Sequence, residues 1–252
     1  MPLTFDFKRK NILITGATRG IGGAIAKDFF NAGANLILTG TDQKKIDILN
    51  ETNKENQIKN IKYLQVDFSD DESLNNFLIE IKNYGRIDIC INNAGVNRIN
   101  FIDQTNIEDF ELLTKINLRA PFMICRQLCH MMKQSNYGRI VNIASIWSII
   151  TKEQRSIYTT TKSGIVGMTK TLAVELAPYN ILVNAISPGF TMTDLTKATN
   201  TEQEINDTAS QIPINRLAQP EEISKVVMFL TSDLNTYITG QNIIVDGGFS
   251  IV

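Results

Sequence analysis

The chain of 252 residues fits one large domain or two small ones, and it is long enough to bury a substantial core. Hydrophobic residues make up 43% and charged residues 20% of the chain, a balance that excludes an intrinsically disordered protein. The 25 basic and 26 acidic residues give a formal net charge of −1, which excludes a strongly basic protein that binds nucleic acid or anionic lipid.

The first ten residues lead directly into a strand-like run, without the apolar stretch and small-residue cleavage site of a secretory leader. Short apolar segments then alternate with segments of helical periodicity. The predicted strands are Asn11–Thr15, Asn35–Thr39, Ile61–Val66, Ile87–Ile91, Arg139–Ala144, Ile181–Ile186 and Asn242–Val245. The predicted helices are Ile21–Asn31, Asp42–Glu55, Ser69–Asn83, Asn106–Lys133, Ile157–Leu176 and Pro220–Leu230. This alternation predicts one doubly wound α/β domain, residues 1–252, with a seven-stranded parallel sheet.

Two segments depart from the regular alternation. Residues 187–219 are polar and rich in Thr and Asn, with one short helix predicted near Glu202–Gln211, and a long excursion after a strand is a typical place for a substrate lid. Pro121 lies inside the longest predicted helix, and it predicts a bend just after Asn117 because proline removes a helical hydrogen bond.

The three cysteines do not have the spacing of a disulfide framework. Cys90 stands alone, and Cys125 and Cys129 are four residues apart on one predicted helix, where we interpret them as core residues rather than zinc ligands. No apolar run approaches the roughly 20 residues that a membrane helix needs. The sequence therefore predicts a cytoplasmic protein without a membrane partner.

A glycine-rich turn, TGATRGIG at 15–22, joins the first predicted strand to the first predicted helix. Glycine permits a tight turn there and lets backbone amides approach a pyrophosphate in front of the helix N-terminus. The alternative is a simple strand–helix turn. Its place in the first βα unit of an alternating chain favours dinucleotide binding and a Rossmann-like fold.

Residues after the second predicted strand bear on which dinucleotide is bound. Asp42 has the sequence distance of a ribose-binding carboxylate, but it equally suits a helix N-cap, the interpretation that we favour. Arg19 in the glycine-rich turn is suited to pair with a 2′-phosphate, and the small side chain of Thr41 leaves room for it. The sequence therefore predicts a preference for NADP(H), with NAD(H) as the alternative.

Three side chains form a candidate chemical group around the fifth strand and the helix after it. Tyr158 and Lys162 are four residues apart on one helix face, and Ser145 follows the strand. An ammonium near a phenol lowers the phenol pKa and permits proton exchange near neutral pH. Each residue alone has a structural alternative, since Tyr158 can pack, Lys162 can be solvated and Ser145 can cap a helix.

Together these residues closely resemble the short-chain dehydrogenase/reductase family, from about Asn11 to the C-terminus. The shared motifs are TGATRGIG at 15–22, Asp67, NNAG at 92–95, Asn117, Ser145, Tyr158-x-x-x-Lys162, Pro188-Gly189 and VDGG at 245–248. The TGxxRGIG turn and the YITGQ…VDGG ending resemble those of the 3-oxoacyl-carrier-protein reductase-like branch in particular.

The resemblance implies catalytic roles for four residues. Tyr158 would act as general acid in reduction and general base in oxidation, while Lys162 would bind the nicotinamide ribose and lower the tyrosine pKa. Ser145 would polarise the substrate carbonyl, and Asn117 at the helix bend would hold a water of the proton relay. No metal is implied, because the phenol and the serine hydroxyl supply the electrophilic assistance.

The resemblance also implies a cofactor-binding set at the carboxyl ends of the strands. Asp67 would meet the adenine, residues 93–95 the adenosine ribose, and residues 186–193 the nicotinamide. The implied cofactor contacts are Gly16, Thr18, Arg19, Gly20, Ile21, Gly22, Thr41, Asp67, Phe68, Asn93, Ala94, Gly95, Tyr158, Lys162, Ile186, Pro188, Gly189, Thr191 and Thr193.

Two departures from the carrier-protein reductase pattern concern the substrate. The helix positions that usually carry basic residues toward an acyl carrier protein hold Cys129 and Val174 here, with Arg126, His130 and Lys133 nearby. The run before the tyrosine is EQRSI rather than the GQAN that is often found. Arg155 in this run either favours a polar or anionic substrate or is simply solvated. Trp147 is expected to form a wall of the substrate pocket.

Three functions follow from these observations. The first is NADP(H)-dependent interconversion of a ketone and a secondary alcohol, with a 3-oxoacyl thioester as the substrate. The second is the same reaction on a sugar, polyol or sugar acid, and the third is a non-catalytic dinucleotide-binding protein. The resemblance further implies a homotetramer built through Asn106–Lys133, Ile157–Leu176 and the apolar C-terminal segment.

Overall fold

A parallel sheet of seven strands lies at the centre of the computed structural model, which describes residues 5–252 apart from the side chain of Leu195. Residues 1–4, the start of the segment interpreted as lacking a secretory leader, lie outside the described residues. The strands are β1 (Asn11–Ile14), β2 (Asn35–Gly40), β3 (Ile61–Gln65), β4 (Ile89–Asn92), β5 (Gly138–Ile143), β6 (Ile181–Pro188) and β7 (Asn242–Val245).

The strand order is β3-β2-β1-β4-β5-β6-β7, and every neighbouring pair is parallel. The order reverses between β1 and β4, so a crevice opens beyond the carboxyl ends of these two strands. The predicted single-domain, doubly wound α/β fold is confirmed.

Helices cover both faces of the sheet, and alternate strand residues supply the two cores. They are α1 (Gly20–Asn31), α2 (Gln43–Glu55), α3 (Asp71–Lys82), α4 (Ile107–Thr114), α5 (Ala120–Ser135), α6 (Ser156–Leu176), α7 (Asp194–Thr199), α8 (Glu202–Ser210) and α9 (Pro220–Thr231). Ile12 and Ile14 of β1 pack with residues of α1 and α9, whereas Leu13 packs with residues of α3, α5 and α6. Burial on both faces explains why the strands are almost continuously apolar.

The predicted long helix is interrupted rather than simply bent. Residues Lys115–Arg119 form a π-helical turn between α4 and α5, and Pro121 is the second residue of α5. Proline has no amide hydrogen, so it cannot donate the α-helical bond to the carbonyl of Asn117. The irregularity therefore lies at Asn117, as predicted, but it takes the form of a wider turn.

The segment of residues 187–219 contains α7, which the sequence analysis did not predict, as well as α8. Its two ends are tied together, because the Met192 amide donates to the Ala218 carbonyl at 2.8 Å and the Ala218 amide donates to the Phe190 carbonyl at 2.9 Å. The side chain of Thr193 caps α7 and lies 3.5 Å from where a Cβ on Gly20 would stand. This pairing brings the segment over the glycine-rich turn.

The cysteines lie where the sequence analysis placed them. Cys90 and Cys125 are buried in the core, Cys129 packs against it, and all three are free thiols. Burial raises the pKa of the Cys125 thiol to about 12, which makes it a poor nucleophile. Within residues 5–252, no helix combines the length and the apolar character that crossing a bilayer requires.

Candidate active site

The glycine-rich turn between β1 and α1 needs its glycines. Gly16 and Gly20 have φ angles of 63° and 57°, in the left-handed region that favours glycine. A Cβ on Gly22 would overlap the carbonyl oxygen of Gly16 and would lie 2.5 Å from Nδ2 of Asn93. The turn is therefore closed too tightly for a side chain at Gly22, and the first residues of α1, Gly20 and Ile21, line the space beyond the sheet.

The NNAG segment after β4 is fastened to this turn by side-chain hydrogen bonds. Nδ2 of Asn93 donates to the carbonyls of Thr15 and Gly16, each at 3.0 Å. The Thr15 hydroxyl in turn accepts from the amides of Asn93 and Ala94, both at 3.0 Å. The Asn93 side chain thus holds the turn in place, a role that the sequence analysis did not assign to it.

The turn, the ends of β2 and β3, and the NNAG segment enclose a cavity of about 320 Å³, called here the glycine crevice. It brings together most of the predicted cofactor contacts. Its lining includes Gly16, Thr18, Arg19, Gly20, Ile21, Thr41, Asp67, Phe68, Asn93, Ala94, Gly95 and Thr193. Gly22 does not line the crevice, but its lack of a side chain allows the turn to close against the Gly16 carbonyl. Asp67 accepts hydrogen bonds from the amide and the hydroxyl of Ser69, at 2.8 and 2.6 Å.

Two cations stand at the rim of the glycine crevice. Arg19 is the N-cap residue of α1, and its side chain makes no capping hydrogen bond. Lys45, which the sequence analysis did not single out, donates to the Thr18 carbonyl at 3.2 Å. Asp42 accepts from the Lys45 amide at 3.1 Å, so its predicted role as the N-cap of α2 is confirmed. The carboxylate of Asp42 is therefore turned toward the helix that it caps.

A second cleft of about 500 Å³, called here the tyrosine cleft, continues from the glycine crevice. It is formed where β5, β6 and the first turns of α6 meet. Its lining includes Ser145, Tyr158, Lys162, Pro188, Gly189 and Thr191. Arg19, Ile21, Asn93, Gly95 and Val96 line both spaces, so the crevice and the cleft are continuous. Ile186, by contrast, is fully buried in the core.

Lys162 is a buried cation in the wall of the tyrosine cleft. Its Nζ donates to the carbonyl of Ile143 at 2.8 Å and lies 5.7 Å from the ring centroid of Tyr158. A Cβ on Gly95 would lie 3.3 Å from the same Nζ. Burial lowers the pKa of Lys162 to about 8, because desolvation penalises the charged ammonium.

The phenol of Tyr158 experiences opposing effects. Burial raises its pKa, while the hydrogen bond with Ser145 and the positive charge of Arg155 lower it, and the net shift is upward. The effect of Ser145 and Arg155 on this phenol was not foreseen in the sequence analysis. That Lys162 lowers the pKa of Tyr158 stays a prediction.

Asn117 is buried at the π-helical turn, and its side chain is fully engaged. Its Oδ1 accepts from the Val96 amide and its Nδ2 donates to the Val96 carbonyl, both at 2.9 Å. Nδ2 also lies 3.2 Å from the Thr161 hydroxyl of α6. The side chain thus joins the segment after β4 to α6, and only the backbone carbonyl, which Pro121 leaves without an α-helical donor, remains for another partner.

Trp147 and Arg155 lie beside the tyrosine cleft, and neither is among the residues that line it. Trp147 makes edge-to-face contacts with Phe190 and Phe249 and lines a neighbouring cavity of about 470 Å³, called here the aromatic cavity. Trp147, which was predicted to form a wall of the substrate pocket, is therefore a wall of the aromatic cavity. Arg155 lies near Trp147 and close enough to Tyr158 for its charge to act on the phenol.

Arg98 is a further cation in the tyrosine cleft that the sequence analysis missed. It lies three residues after the NNAG segment, and its Nε is 3.4 Å from a carboxylate oxygen of Asp109. Its position directly after a functional motif is the one signal in the sequence that points to it.

Comparisons with known proteins agree with this geometry. The family model described as enoyl-(acyl carrier protein) reductase matches residues 16–250. The chain is 40% identical over 237 residues to the 3-oxoacyl-[acyl-carrier-protein] reductase FabG of Aquifex aeolicus, covering 94% of this chain and 95% of that protein.

Solved structures give the same result. A candidate gluconate dehydrogenase of Agrobacterium tumefaciens matches with a TM-score of 0.91 and 30% identity, over the full length of both chains. The structure of ElxO with NADP bound matches with a TM-score of 0.86 and 29% identity, covering 95% of this chain and 98% of that one.

The chain belongs to the short-chain dehydrogenase/reductase family. It is an enzyme of the class that interconverts carbonyl and hydroxyl groups with a nicotinamide dinucleotide, and the predicted resemblance is confirmed. The glycine crevice fits such a group. A Cβ at Gly16 would stand 3.0 Å from the Cα of Ala94, so the backbone approaches closely here, and the N-terminus of α1 and the cation of Arg19, whose side chain makes no capping bond, suit a phosphate.

Proposed function

We propose that the protein is an NADP(H)-dependent oxidoreductase that interconverts a ketone and a secondary alcohol, with 3-oxoacyl thioesters as its substrate class. The observation that carries the proposal is the continuity of the glycine crevice with a cleft that holds Ser145, Tyr158 and Lys162. The similarity to a 3-oxoacyl-[acyl-carrier-protein] reductase supports the substrate class.

The proposed chemistry uses the side chains of the tyrosine cleft. A bound nicotinamide supplies the hydride that adds to the carbonyl carbon. Tyr158 donates its proton to the carbonyl oxygen in reduction and removes it in oxidation. Ser145 holds that oxygen beside the phenol, and its interaction with the phenol also stabilises the phenolate.

Lys162 and Asn117 complete the proposed path of the proton. With a pKa of about 8, Lys162 exchanges a proton near neutral pH and can thus pass one toward Tyr158. The carbonyl of Asn117 would hold a water on this path, since the Asn117 side chain is engaged with Val96 and Thr161. Pro121 frees this carbonyl from the α-helical pattern.

The residues that would hold the dinucleotide are those of the glycine crevice and the adjoining wall of the tyrosine cleft. Gly22 would act indirectly by closing the turn, and Lys162 would bind the nicotinamide ribose. The direct contacts would be Gly16, Thr18, Arg19, Gly20, Ile21, Thr41, Asp67, Phe68, Asn93, Ala94, Gly95, Tyr158, Lys162, Pro188, Gly189, Thr191 and Thr193.

Preference for NADP(H) over NAD(H) rests on charge at the rim of the glycine crevice. Arg19 and Lys45 supply two cations there, and the carboxylate of Asp42, which could otherwise bind a ribose hydroxyl, is occupied as a helix cap. A 2′-phosphate would gain charge-assisted hydrogen bonds at this rim. We expect Arg19→Ala to weaken NADPH binding by roughly 10- to 100-fold and NADH binding far less.

Further parts of the proposal concern assembly and setting. Residues 187–219 would form the substrate lid, since they return over the glycine-rich turn. A homotetramer would use the faces of α4–α5 and α6 and the exposed C-terminal Ile251 and Val252. The three free thiols support a cytoplasmic setting. Docking of an acyl carrier protein would rely on Arg126, His130 and Lys133 of α5.

A polar substrate, such as a sugar, polyol or sugar acid, is the second candidate. The cation of Arg155 near Tyr158 favours it, and so does the similarity to a candidate gluconate dehydrogenase. The two candidates differ in what they oxidise or reduce, not in the chemistry of Tyr158.

One assay separates these candidates. NADPH oxidation is followed at 340 nm with an acetoacetyl thioester, and NADP+ reduction is followed with a panel of sugars, polyols and sugar acids. We expect turnover of the thioester. Turnover of sugars or sugar acids alone would favour the second candidate, and cofactor binding without any turnover would refute both. Lys44→Ala, which removes an exposed charge from α2, is the control for Arg19→Ala.

A further inference from the structure

Arg155 is a partly buried cation placed three residues before Tyr158. It is the N-cap residue of α6, with a backbone conformation of φ −117° and ψ 10° and no side-chain capping bond. Its charge acts on the Tyr158 phenol, and its guanidinium carbon lies 5.8 Å from the ring centroid of Trp147. The side chain therefore lies close to Tyr158, which lines the tyrosine cleft, and to Trp147, which lines the aromatic cavity.

The guanidinium of Arg155 lacks the partners that a buried cation normally has. Its Nε is buried without a hydrogen-bond partner, and its Nη1 reaches only the Gln154 carbonyl, at 3.4 Å. Within residues 5–252, no carboxylate lies at ion-pair distance from it. The buried part of this guanidinium would be stabilised by an anion that pairs with it.

Lys152 adds a second positive charge at the same place. Its Nζ also lies 5.8 Å from the ring centroid of Trp147, and it lines the aromatic cavity. It has no ion pair among the described residues either. Two unpaired cations around one indole give this corner a positive potential that contrasts with the net charge of −1 of the whole chain.

The indole itself is held firmly. Trp147 packs edge-to-face with Phe190 at 6.2 Å and with Phe249 at 6.5 Å between centroids, and these two phenyl rings contact each other at 5.1 Å. This cluster fixes one side of the corner, so an entering ligand meets a preformed surface. A planar guanidinium beside such a surface is suited to bind a carboxylate or phosphate through two parallel hydrogen bonds.

We propose that Arg155, assisted by Lys152, binds an anionic group of the oxo substrate, a carboxylate or a phosphate, while the carbonyl lies at Tyr158. This inference rests on the proposed ketone reduction and adds a requirement for charge on the substrate. Arg155 is thus a specificity-determining residue. Arg98, another cation of the tyrosine cleft, is a weaker candidate because it is paired with Asp109.

Matched pairs of thioesters test this proposal and separate the two sources of charge. The first pair is the 3-oxoadipyl thioester of N-acetylcysteamine and its terminal methyl ester, which differ in one carboxylate. The second pair is acetoacetyl-4′-phosphopantetheine and acetoacetyl-pantetheine, which differ in one phosphate. The reacting 3-oxo group is the same in all four compounds.

Each compound is measured for turnover with NADPH and for binding with NADP+, where no hydride is available. Trp147 is the only tryptophan of the chain, so its fluorescence reports binding beside Arg155 without turnover. In at least one pair, we expect the anionic member to have a roughly 10- to 100-fold higher kcat/KM and a correspondingly lower Kd. The pair that shows this preference identifies the source of the anion.

Three variants locate the preference. Arg155→Gln is expected to abolish this preference, so that the two members of each pair then have similar kcat/KM and Kd values, and Arg155→Lys is expected to retain part of the preference. Arg9→Gln, which removes an equal charge from an exposed turn, is the control and should leave it unchanged. Equal Kd values within both pairs, persistence of the preference in Arg155→Gln, or its loss in Arg98→Gln but not in Arg155→Gln would overturn the proposal.

The two readouts keep the proposals distinct. Absence of turnover for all four compounds would refute the proposed thioester reduction. The ratio of the Kd values of the anionic and neutral members would still show whether Arg155 binds an anion. Turnover of neutral and anionic members at equal rates and equal Kd values would support the reductase and reject the anion site.

Discussion

The glycine crevice and the corner around Arg155 use polar groups in opposite ways. In the crevice, three side chains form hydrogen bonds with neighbouring backbone groups: those of Thr15, Thr39 and Asn93. These bonds attach the turn to the strands beside it. At the other end of the active site, the Nε of Arg155 is buried without a partner. The side chains that hold the glycine-rich turn have hydrogen-bond partners, whereas the Nε of Arg155 has none among the described residues.

This difference indicates what each region does for the enzyme. A fully bonded turn keeps one shape and can hold a ligand that is common to many enzymes at little reorganisation cost. The Nε of the partly buried Arg155 lacks a hydrogen-bond partner, and an anionic ligand would supply one. Mutations in the first region should change folding and cofactor binding together, and mutations in the second should change specificity or catalysis with little effect on folding.

The largest expected effect is that of Tyr158→Phe. Loss of the phenolic proton should lower kcat by about 10²- to 10⁴-fold, while the affinity for NADPH stays near the wild-type value. Initial rates at 340 nm and a fluorescence titration with NADPH measure the two quantities. Tyr179→Phe, on the surface after α6, is the matched control. Retention of more than a tenth of the activity would rule out Tyr158 as the proton donor.

Two adjacent glycines test how tightly the turn is closed. In Gly22→Ala the new Cβ overlaps the Gly16 carbonyl, so we expect a loss of about 1–3 kcal/mol in the free energy of unfolding and weak NADPH binding. In Gly23→Ala the nearest atom is 3.7 Å away, and better helix propensity should add up to about 1 kcal/mol. Urea unfolding and NADPH titration of both variants check this contrast, which equal effects would contradict.

The buried ammonium of Lys162 links stability to pH. Its pKa falls from 10.5 in the unfolded chain to about 8 in the native state, so the unfolded chain binds more protons between these values. Wild-type stability should therefore rise with pH from about 8 to about 10.5 relative to Lys162→Met, by a limit on the order of 3 kcal/mol. Urea unfolding of both proteins at several pH values measures it, and parallel curves would contradict the burial effect.

The smallest expected effect concerns the pH dependence of alcohol oxidation. Because Arg155 lowers the pKa of Tyr158, Arg155→Gln should move the acidic limb of the kcat/KM profile to higher pH. The oxidation of a neutral alcohol from pH 6 to 10 isolates this effect from substrate charge. A limb that stays in place would show that Arg155 acts on specificity alone.

The fold and the chemical centre were largely accessible from the sequence. Alternating apolar and amphipathic segments predicted the seven strands, and the spacing of Tyr158 and Lys162 follows from helix geometry. These features depend on neighbours in the chain, so local patterns carry them. The helix cap at Asp42 was also predicted, because its residue type and position define it.

Other features depend on contacts between distant segments and could not be predicted in the same way. The bonds from Asn93 to Thr15 and Gly16 span more than 75 residues, and the contact of Lys45 with Thr18 joins two different helix starts. Trp147 was expected in the substrate pocket, but its packing against Phe190 and Phe249 sets it beside another cavity. Such placements follow from tertiary packing rather than from spacing.

The π-helical turn at Lys115–Arg119 lies between α4 and α5 and changes the rotation of one helix relative to the other. The apolar face of α5 therefore does not continue in line with that of α4. Each residue advances an α-helix by about 100°, and a single π turn accommodates one extra residue. Removing one residue from this turn to restore uniform winding would rotate α5 by about 100° relative to α4. Ile124 and Leu128 would then turn out of the core, so the packing of α5 constrains the length of this short turn.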